Sequence, residues 1–346
     1  MNILIVTDAW SPQVNGVVRT LQSVKSELER MGHAVTVISP DQFRSMPCPT
    51  YPEIRLALTL SVGKRIEGAR PDAIHIATEG PLGLAARKYC KRRGLPFTTA
   101  YHTQFPEYVS KRTRLPARWF WRYIRRFHRP SKAVMVSTPA VERQLHENGI
   151  RHTRHWGRGV DLSLFTVEGP RHPAFEGLEH PIQLYVGRVA VEKNIEAFVT
   201  SRHPGTKVVV GDGPELEKLK VAFPQVRFLG KLLAEELASA YRSADVFVFP
   251  SRTDTFGLVL IEALATGTPV AAYPVQGPID VLTDAVGCMD EDLDRAVGEA
   301  LTRDRTVCAR YAAGFGWDKS ARQFFDGLVP IRRAAGVSEQ VALEKA

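Results

Sequence analysis

The sequence predicts an α/β protein of two domains, each a doubly wound, Rossmann-like parallel sheet with helices on both faces. Three observations support this prediction. The chain of 346 residues is long enough for two domains of ordinary size. Almost continuously apolar strand segments alternate with helical segments, which is typical of parallel sheets that are covered on both sides. The alternation occurs in two successive sets, which indicates two sheets.

Ten strands are predicted, five in each half. Each is a short apolar run with turn-forming residues at its two ends. Those of the first half are Ile3–Thr7, Val35–Ser39, Ala73–Ile76, Pro96–Ala100 and Ala133–Thr138. Those of the second half are Pro181–Val186, Lys207–Val210, Val226–Leu229, Val246–Phe249 and Pro269–Tyr273. Helical periodicity predicts helices between them, including Gly16–Met31, Ala140–Asn148, Glu192–Thr200 and Pro214–Val221.

The domain boundary is predicted within Phe165–Pro181, a segment rich in glycine, proline, histidine and charged residues. We therefore expect an N-terminal domain over residues 1–168 and a C-terminal domain over 169–314. The segment Phe315–Leu328 has the pattern of an amphipathic helix that need not stay with the second domain. Residues 336–346 are expected to form a solvated tail.

Composition restricts the compartment and the class of partner. The first residues lack a basic leader, and no stretch approaches the roughly 20 apolar residues of a membrane span. The four cysteines are scattered without a CxxC spacing, so we expect a protein of the reducing cytoplasm. Residues 1–165 carry 26 Lys and Arg against 12 Asp and Glu, a net charge of +14, whereas the remainder carries −5. A polyanionic partner would therefore meet the N-terminal half.

The segment 251–267 predicts a nucleotide site. The apolar run Val246–Phe249 ends before it as a buried strand, and a helix is expected to begin near Gly257. A helix start offers unpaired backbone N–H groups and a positive dipole end, which suit a phosphate. Glu262, inside that helix, can accept hydrogen bonds from ribose hydroxyls, while Asp254 in the loop reaches past the phosphates.

Two further loops of the second half carry binding chemistry. Arg188 and Lys193 follow a predicted strand and Gly187, and together a forked guanidinium and a point charge suit a pyrophosphate. Gly211 and Gly213 follow the next strand, where they are a weak NAD signal but can let a nucleoside approach the backbone. Plain initiation of a helix is the alternative there. Leu229, at the end of the third strand, is assigned to the same nucleotide site.

In the first half, two loops follow predicted strands in the same way. Asn15 and Gly16 form an Asn-Gly turn before a helix, which allows positive φ and a close backbone approach to a ligand. His102 lies in a loop after the strand Pro96–Ala100, where it can contact a sugar hydroxyl or exchange a proton. A structural role is the alternative for each.

The segment 116–129 separates into two faces on a helical wheel. An aromatic sector of about 140° holds Trp119, Phe120, Tyr123, Ile124 and Phe127. The opposite sector of about 100° holds Arg118, Arg122, Arg125, Arg126 and Arg129, and Lys111, Arg112 and Arg114 extend the charge. We expect the aromatic residues to be largely internal and the arginines to contact an anionic membrane surface. Nucleic acid, the rival polyanion, is not expected as the partner, because the sequence has no helix-turn-helix, RRM or zinc-finger signature.

The motifs GRVAVEKN, VGDGPELEKL and SRTDTFGLVLIEALATGTPVAA, in this order, resemble the family 4 glycosyltransferases of GT-B fold. The opening ILIVTDAWSPQVNGVVRTL and the later YHTQFPEY are similar to the bacterial lipid-directed and mannosyl-transferring branch. The resemblance implies two Rossmann-like domains that hold a nucleoside-diphosphate sugar between them, with retention of anomeric configuration. It also implies a last helix, over residues 315–335, that crosses back to the N-terminal domain.

The resemblance assigns roles by position. Arg188 and Lys193 would bind the diphosphate, Glu262 the ribose, and the backbone of Leu258 and Val259 a phosphate. Gly16 would approach the phosphate or acceptor, with Asn15 on the acceptor side, and His102 would contact the transferred sugar. Asp254 departs from the usual Glu of the motif, which leaves open which sugar hydroxyl it contacts. Phe256 and Gly257 complete the donor site.

The expected function is that of a membrane-associated, cytoplasmic hexosyltransferase with a lipid acceptor such as diacylglycerol. GDP-mannose, UDP-glucose and UDP-glucuronate all remain open as donors. The alternatives are a soluble or polysaccharide acceptor, a nucleotide-sugar epimerase of the same fold, and a catalytically degenerate membrane-binding protein. No cofactor or metal is expected, because the MDED segment at Met289–Asp292 has the pattern of a helix start.

Overall fold

The computed structural model of the chain describes residues 1–13, 15–48, 51–59, 61–102 and 116–332. Its strands are β1 (Asn2–Val6), β2 (Ala34–Ile38), β3 (Ser45–Cys48), β4 (Tyr51–Ala57), β5 (Ala73–Ile76), β6 (Thr98–Ala100), β7 (Val134–Val136), β8 (Thr153–His155), β9 (Gln183–Val186), β10 (Lys207–Val210), β11 (Arg227–Gly230), β12 (Val246–Phe249), β13 (Val270–Ala272) and β14 (Gly287–Met289). All ten predicted strands are among them, with ends that differ by a few residues.

Helices alternate with these strands along the described chain. They are α1 (Gly16–Arg30), α2 (Val62–Ala69), α3 (Pro81–Arg93), α4 (Ala117–His128), α5 (Pro139–Glu147), α6 (Ile195–Val199), α7 (Leu216–Ala222), α8 (Ala234–Ser243), α9 (Leu258–Ala265), α10 (Pro278–Val281), α11 (Leu293–Ala300), α12 (Arg305–Ala312) and α13 (Trp317–Gly327). Short 3₁₀ turns cover Pro40–Gln42, Pro173–Phe175 and Val191–Lys193.

The strands form two parallel sheets of six, in the orders β2-β1-β5-β6-β7-β8 and β11-β10-β9-β12-β13-β14. A separate antiparallel pair joins β3 to β4. The fold prediction of two doubly wound domains is therefore confirmed. The strand that comes first in sequence, β1 or β9, is an inner strand of its sheet. The strand order therefore reverses between β1 and β5 and between β9 and β12, and the connections on either side of these points run in opposite directions. Such a point leaves a crevice beyond the carboxyl ends of the strands, where ligands of these sheets bind.

The strands follow from their apolar sequence. Ile3, Leu4, Ile5 and Val6 of β1 are completely buried, and all four residues of β12 are buried as well. Full burial of such a side chain stabilises the fold by about 1.5–3 kcal/mol. A strand with apolar residues on both faces is stable only inside a sheet that helices cover on both sides, as here.

Four strands were not predicted, and all are peripheral. β8 carries Thr153, Arg154 and His155, none of them buried, and it lies at the edge of its sheet. β14 is the edge of the second sheet, and β3 pairs only with β4. Edge strands need less apolar sequence, so the hydrophobic pattern that revealed the inner strands is missing.

The predicted helix Glu192–Thr200 is also shorter than expected. Asn194 has φ +53°, in the left-handed region, so it separates the 3₁₀ turn Val191–Lys193 from α6. Its side-chain amide donates to the carbonyl of Pro250, 3.0 Å away, which links this loop to the end of β12.

The last helix returns to the N-terminal domain, as predicted. α13 packs along α1, and its Phe325 ring stacks on His33 with the centroids 4.4 Å apart. Phe324 is completely buried, with its centroid 4.8 Å from the rings of both Trp156 and His75. The Trp156 indole donates to Ser320 Oγ at 3.1 Å. The chain therefore joins its two domains twice, once before and once after the second sheet.

The first crossing lies close to the end of β8. Trp156 belongs to the core around β1, whereas Val160 and Phe165 pack in the core of the second sheet. The chain thus passes between the two cores ahead of Phe165–Pro181. The predicted limits of the domains, 168 and 169, stay a prediction.

Replacing Phe324 by Ala should lower the free energy of unfolding by about 3–5 kcal/mol, because it leaves a cavity beneath α13. Arg322 on the same helix has a side chain 70% exposed, so Arg322→Ala should change stability by less than about 0.5 kcal/mol. Thermal and denaturant unfolding measure both. Equal effects would mean that α13 does not pack on the N-terminal domain.

Candidate active site

The loops after β9 and β12 meet at the point where the second sheet changes direction. They bring together Lys193 and Asp254, whose Nζ–Oδ1 and Nζ–Oδ2 distances are 2.6 and 2.8 Å. Both side chains are about three-quarters buried, with 27% and 22% exposed. Two residues that the sequence assigned separately, to the diphosphate and to the sugar, therefore form one ion pair.

The ion pair keeps Asp254 charged. Burial alone would raise the pKa of Asp254, but the charge of Lys193 and its hydrogen bonds outweigh burial, and the pKa lies below its usual value. A carboxylate held in this way accepts hydrogen bonds and donates none at neutral pH. It can bind hydroxyl groups of a sugar, and it can hold the Lys193 ammonium toward an anion.

Glycine is required where the loops after β9 and β10 touch. A Cβ on Gly211 would lie 1.8 Å from the carbonyl oxygen of Gly187, and one on Gly213 would lie 2.3 Å from that of Val189. Hydrogen bonds of 3.0 and 2.9 Å join the same loops, from Gly187 N to Val210 O and from Val189 N to Asp212 O. Both glycines are therefore needed for the packing of the two loops. Neither of the two predicted roles, helix initiation and close approach of a nucleoside, explains by itself why glycine is required at these positions.

Arg188 lies in this packed loop with an exposed side chain. The phenol of Tyr185 donates to its backbone carbonyl at 2.9 Å, so the loop is fixed from beneath. Leu229 lies at the end of β11, partly buried against the main core of the domain. The predicted donor residues of the first three strands of this sheet are therefore at its carboxyl edge.

The start of α9 has no side-chain cap. Gly257 precedes the helix with φ +81°, and the first turn contains no acidic residue. The N–H groups of the first residues, Leu258 and Val259, are therefore left for a ligand. Phe256, 7% exposed, packs into the core and fixes the approach to the helix.

Glu262 lies one turn further along α9 and is only 3% exposed. The Tyr241 phenol donates to its Oε2 at 3.1 Å, and Arg19 NH2 of α1 is 2.5 Å from its Oε1. Arg19 comes from the opposite domain. The carboxylate expected to bind ribose therefore forms an ion pair across the cleft. Sequence reasoning missed both partners, because Arg19 lies in the other domain and Tyr241 lies on another helix of the same domain, so neither contact has a local signal.

The N-terminal side of the cleft differs from prediction in one respect. Neither Asn15 nor Gly16 has positive φ: Asn15 is extended, and its Oδ1 caps α1 by accepting from Val17 N and Val18 N at 3.0 Å. The Asn-Gly pair is thus a helix start rather than a turn. Gly16 still approaches the other domain closely, since a Cβ there would lie 3.8 Å from Leu258 Cδ1. The starts of α1 and α9 face each other.

His102 is oriented by a buried arginine. Arg158 NH2 donates to His102 Nδ1 at 3.1 Å, which places the imidazole proton on Nε2. That Nε2 is buried and has no hydrogen-bond partner among the described residues. Burial, then the charge of Arg158, lowers the pKa of His102 well below 6.5. The ring is therefore neutral, with a donor N–H at Nε2.

Arg158 was not predicted, although it lies in the motif WGRG that follows β8. Its guanidinium donates to Trp156 O at 2.8 Å and lies over the Trp156 ring, 4.6 Å from the centroid. Burial lowers its pKa to about 9, so it still carries its charge at pH 7. The signal that could have identified Arg158 is its position between two glycines, preceded by a tryptophan, directly after a strand.

The two domains contact each other at the site. Thr255 Oγ1, beside Asp254, donates to the carbonyl of His102 at 2.8 Å. Ala140 N, at the start of α5, donates to Asp280 Oδ1 at 3.2 Å. Together with Arg19 and Glu262, these contacts bring His102, Gly16, Asp254 and Glu262 into one cleft. The rest of YHTQFPEY lies outside the described residues.

No group of three or more His, Cys, Asp or Glu side chains that could hold a metal ion occurs in the described part of the chain. Asp292 instead caps α11, accepting from Asp294 N at 3.0 Å, and Asp290 pairs with Arg295. The segment Met289–Asp292 is thus a helix start, as predicted. Independence from metal stays a prediction.

α4 presents the predicted arginines but buries a different aromatic residue. The exposed residues of the helix and its end include Arg118, Arg122, Arg125, Arg126 and Arg129. Trp119, expected on the internal face, is 60% exposed among them, whereas Trp121 is 6% exposed. Trp121, Ile124 and His128 share one stripe at helical spacing, and Trp119 lies outside it. Lys111, Arg112 and Arg114 lie outside the described residues. Within those described, no helix has the length and apolar character to cross a membrane.

Two sequence-family profiles match the chain, "Glycosyltransferase Family 4" over residues 14–164 and "Glycosyl transferases group 1" over 180–303. A GDP-mannose-dependent alpha-mannosyltransferase of Mycobacterium tuberculosis is 31% identical over 313 residues, which cover 82% of each chain. An alpha-monoglucosyldiacylglycerol synthase of Streptococcus pneumoniae is 28% identical, covering 87% of this chain and 78% of its own.

Among solved structures, sucrose-phosphate synthase from Thermosynechococcus elongatus superposes with a TM-score of 0.75 at 20% identity, covering 94% of this chain and 97% of its own. The two facing Rossmann-like domains thus form a GT-B fold. The chain belongs to the family 4 glycosyltransferases, and it is a hexosyltransferase that uses a nucleotide-sugar donor.

His102 should not titrate between pH 8 and pH 6, because its pKa lies well below 6.5. In the unfolded chain the imidazole takes up its proton near pH 6.5, so acidification below that pH should destabilise the folded protein. NMR of the imidazole signals, assigned with the variant His102→Gln, measures the first effect. A midpoint near 6.5 would show that Arg158 does not set the state of this ring.

Arg19→Met should strengthen binding of the nucleoside part of the donor, since Arg19 NH2 contacts Glu262 Oε1 and would compete with ribose for it. An ion pair with one exposed partner contributes up to about 1 kcal/mol, so the gain is at most about fivefold. Titration calorimetry with uridine and guanosine measures it, and Arg30→Met on the same helix, with a side chain 74% exposed, is the matched control. Weaker nucleoside binding by Arg19→Met would contradict competition for Glu262.

Proposed function

We propose that the enzyme transfers a hexosyl or hexuronosyl unit, with retention of configuration, from GDP-mannose, UDP-glucose or UDP-glucuronate to a membrane lipid such as diacylglycerol. The observation that carries the donor half is the convergence of Lys193, Asp254 and Glu262 with two helix starts in one cleft. The lipid half is supported by the similar diacylglycerol-glycosylating enzyme and by the exposed basic face of α4.

The diphosphate would lie between the starts of α9 and α1. The free N–H groups of Leu258 and Val259 would donate to one phosphate, and Arg188 and Lys193 would approach the other from the loop after β9. The packed glycine loops hold the backbone at Arg188, and the Lys193–Asp254 pair holds the Lys193 ammonium. Arg188 and Lys193 would offset the charge that develops on the departing diphosphate, the role that a metal ion has in other transferases.

Glu262 would bind the ribose hydroxyls after Arg19 has been displaced, with Tyr241 holding the second carboxylate oxygen. The buried Nε2–H of His102 would donate to a hydroxyl of the transferred sugar, and Asp254 would accept from another. Asp254 is held by Lys193 and is shorter than the Glu that the family's motif usually has. The position of that carboxylate would therefore select among donor sugars.

The acceptor would be deprotonated by the leaving diphosphate oxygen itself. In this route the transferred sugar passes through an oxocarbenium-like state, and the acceptor hydroxyl attacks from the side that the diphosphate leaves. His102 is a neutral donor, and the ion-paired Asp254 lies on the donor side, so neither needs to act as the base. We assign no cofactor to the reaction.

The acceptor is a lipid, so the enzyme must work at a membrane surface. The arginines of α4 and the exposed indole of Trp119 would lie among anionic headgroups, a distribution typical of helices that bind in the plane of the interface. A cytoplasmic enzyme would then bind peripherally to the inner face of the membrane, where nucleotide sugars are available.

Glu262→Ala should reduce transfer by about 100-fold or more, because hydrogen bonds to a charged group contribute about 1.5–3 kcal/mol each. Sugar transfer to diacylglycerol in vesicles is measured with each of the three donors. Glu299→Ala, on the exposed face of α11, is the control, and vesicle binding should be unchanged in both. Retained activity in a folded Glu262→Ala protein would refute the donor site.

Arg122, Arg125 and Arg126 replaced together by Glu should release the protein from anionic vesicles, since each basic residue near the surface contributes about 1 kcal/mol. Co-sedimentation with phosphatidylglycerol vesicles measures the effect. The control is the single change Lys218→Glu on the exposed face of α7, next to Glu217. It should leave vesicle binding unchanged. Persistent binding of the triple variant would exclude α4 from the membrane contact.

A further inference from the structure

A groove of about 710 Å³ lies between α3 and α4, on the N-terminal domain and separate from the donor cleft. It is lined by five cationic side chains and three apolar or aromatic ones, which are Arg87, Lys88, Lys91, Arg92, Arg126, Leu84, Tyr123 and Phe127. None of these lining residues is acidic. In the parts of the chain that the structure describes, none of the five cations forms an ion pair with a carboxylate.

Two side chains of the groove, those of Arg87 and Tyr123, are held by hydrogen bonds to the backbone of neighbouring elements. Arg87 of α3 donates through Nε to the carbonyl of Phe127 at 2.8 Å and through NH2 to that of Arg126, so it joins α3 to the end of α4. The Tyr123 phenol donates to the Glu79 carbonyl just before α3. The two helices and the groove between them are therefore held in one position.

The cations in the groove repel one another. Burial, and then the positive charge of Arg126, lowers the pKa of Arg87 below its usual value. Basic residues near a helix C-terminus are common because they offset the helix dipole, which accounts for Lys91 and Arg92. It accounts for Arg126 in the last turn of α4 in the same way, but not for Lys88 in the middle of α3. An anion in the groove would relieve this repulsion.

The lining also has an apolar part that a free anion would not need. Leu84 is 40% exposed at the edge, and Phe127 lies beneath. Arg126 borders both the groove and the exposed face that carries Trp119, so the groove opens next to the surface proposed to meet the membrane. The acceptor proposed above, diacylglycerol, is uncharged and cannot compensate five cations. A second, anionic lipid fits both the charge and the apolar edge.

We propose that the groove between α3 and α4 binds the phosphate and glycerol headgroup of an anionic phospholipid that is not a substrate. The phosphate would lie among Lys88, Lys91, Arg92 and Arg126, and the first acyl carbons would leave past Leu84. One bound lipid would then fix the orientation of the N-terminal domain on the membrane. This inference rests on the proposed membrane contact but not on the donor chemistry.

The test uses dihexanoylphosphatidylglycerol below its critical micelle concentration, which presents the headgroup without a membrane. In the groove variant Lys88, Lys91 and Arg92 become Gln, and in the matched control Lys218, Lys220 and Arg227 on the surface of the C-terminal domain become Gln. All six side chains are exposed, so both proteins should fold, which thermal unfolding checks. Titration calorimetry with the full chain measures the affinity.

We expect saturable binding of one lipid to the wild type and to the control, weaker by about tenfold or more in the groove variant. Dihexanoylphosphatidylcholine should not bind. Equal affinity of the groove variant and the control would overturn the proposal. So would inorganic phosphate that binds as tightly as the lipid, or single-stranded RNA that displaces it at lower concentration. The wild type, the groove variant and the control should bind UDP and GDP with equal affinity. The donor-site proposal is therefore tested separately from the lipid-groove proposal.

Discussion

The reversal of strand order at β9 is the constraint on which the site depends. Because β10 lies on one side of β9 and β12 on the other, the loops that follow β9 and β12 diverge and leave a crevice between them. Lys193 and Asp254 face each other there, 2.6 Å apart, and Asn194 ties the first loop to the end of the second strand. Gly211 and Gly213 permit the packing that holds the loops in place. The charges that would meet a diphosphate are therefore positioned by the sheet itself.

Much of this arrangement follows from local sequence. The inner strands were predictable because they are apolar on both faces, and a strand–glycine–helix succession indicated the start of α9 and the position of Glu262. The return of α13 to the first domain was also predicted, from the family resemblance and the separate amphipathic pattern of Phe315–Leu328. In each case the signal lies within a segment of about 15 residues, where periodicity and capping act.

What the sequence did not reveal depends on contacts between distant segments. Arg19 pairs with Glu262 across the cleft, and no neighbour in sequence indicates this. Arg158 sets the proton on His102, and although the motif WGRG marks the position of Arg158, it does not identify His102 as the partner. The face of α4 was misassigned at Trp119, because periodicity alone could not choose between Trp119 and Trp121. The neighbouring elements decide it, with Tyr101 beside Trp121 at a centroid distance of 6.0 Å. The groove between α3 and α4 was likewise not predictable from local sequence, because it forms only where the two helices pack together.

The central claim is that the Lys193–Asp254 pair lies at the diphosphate end of a donor site shared by two domains. Titration calorimetry of UDP and GDP with Lys193→Met tests it most directly, with Lys218→Met on the exposed face of α7 as the control. We predict that the preferred nucleotide binds the Lys193 variant about tenfold more weakly or worse, since a charge-assisted contact to phosphate is lost. The control should bind as the wild type does. Unchanged affinity in the Lys193 variant would contradict the account.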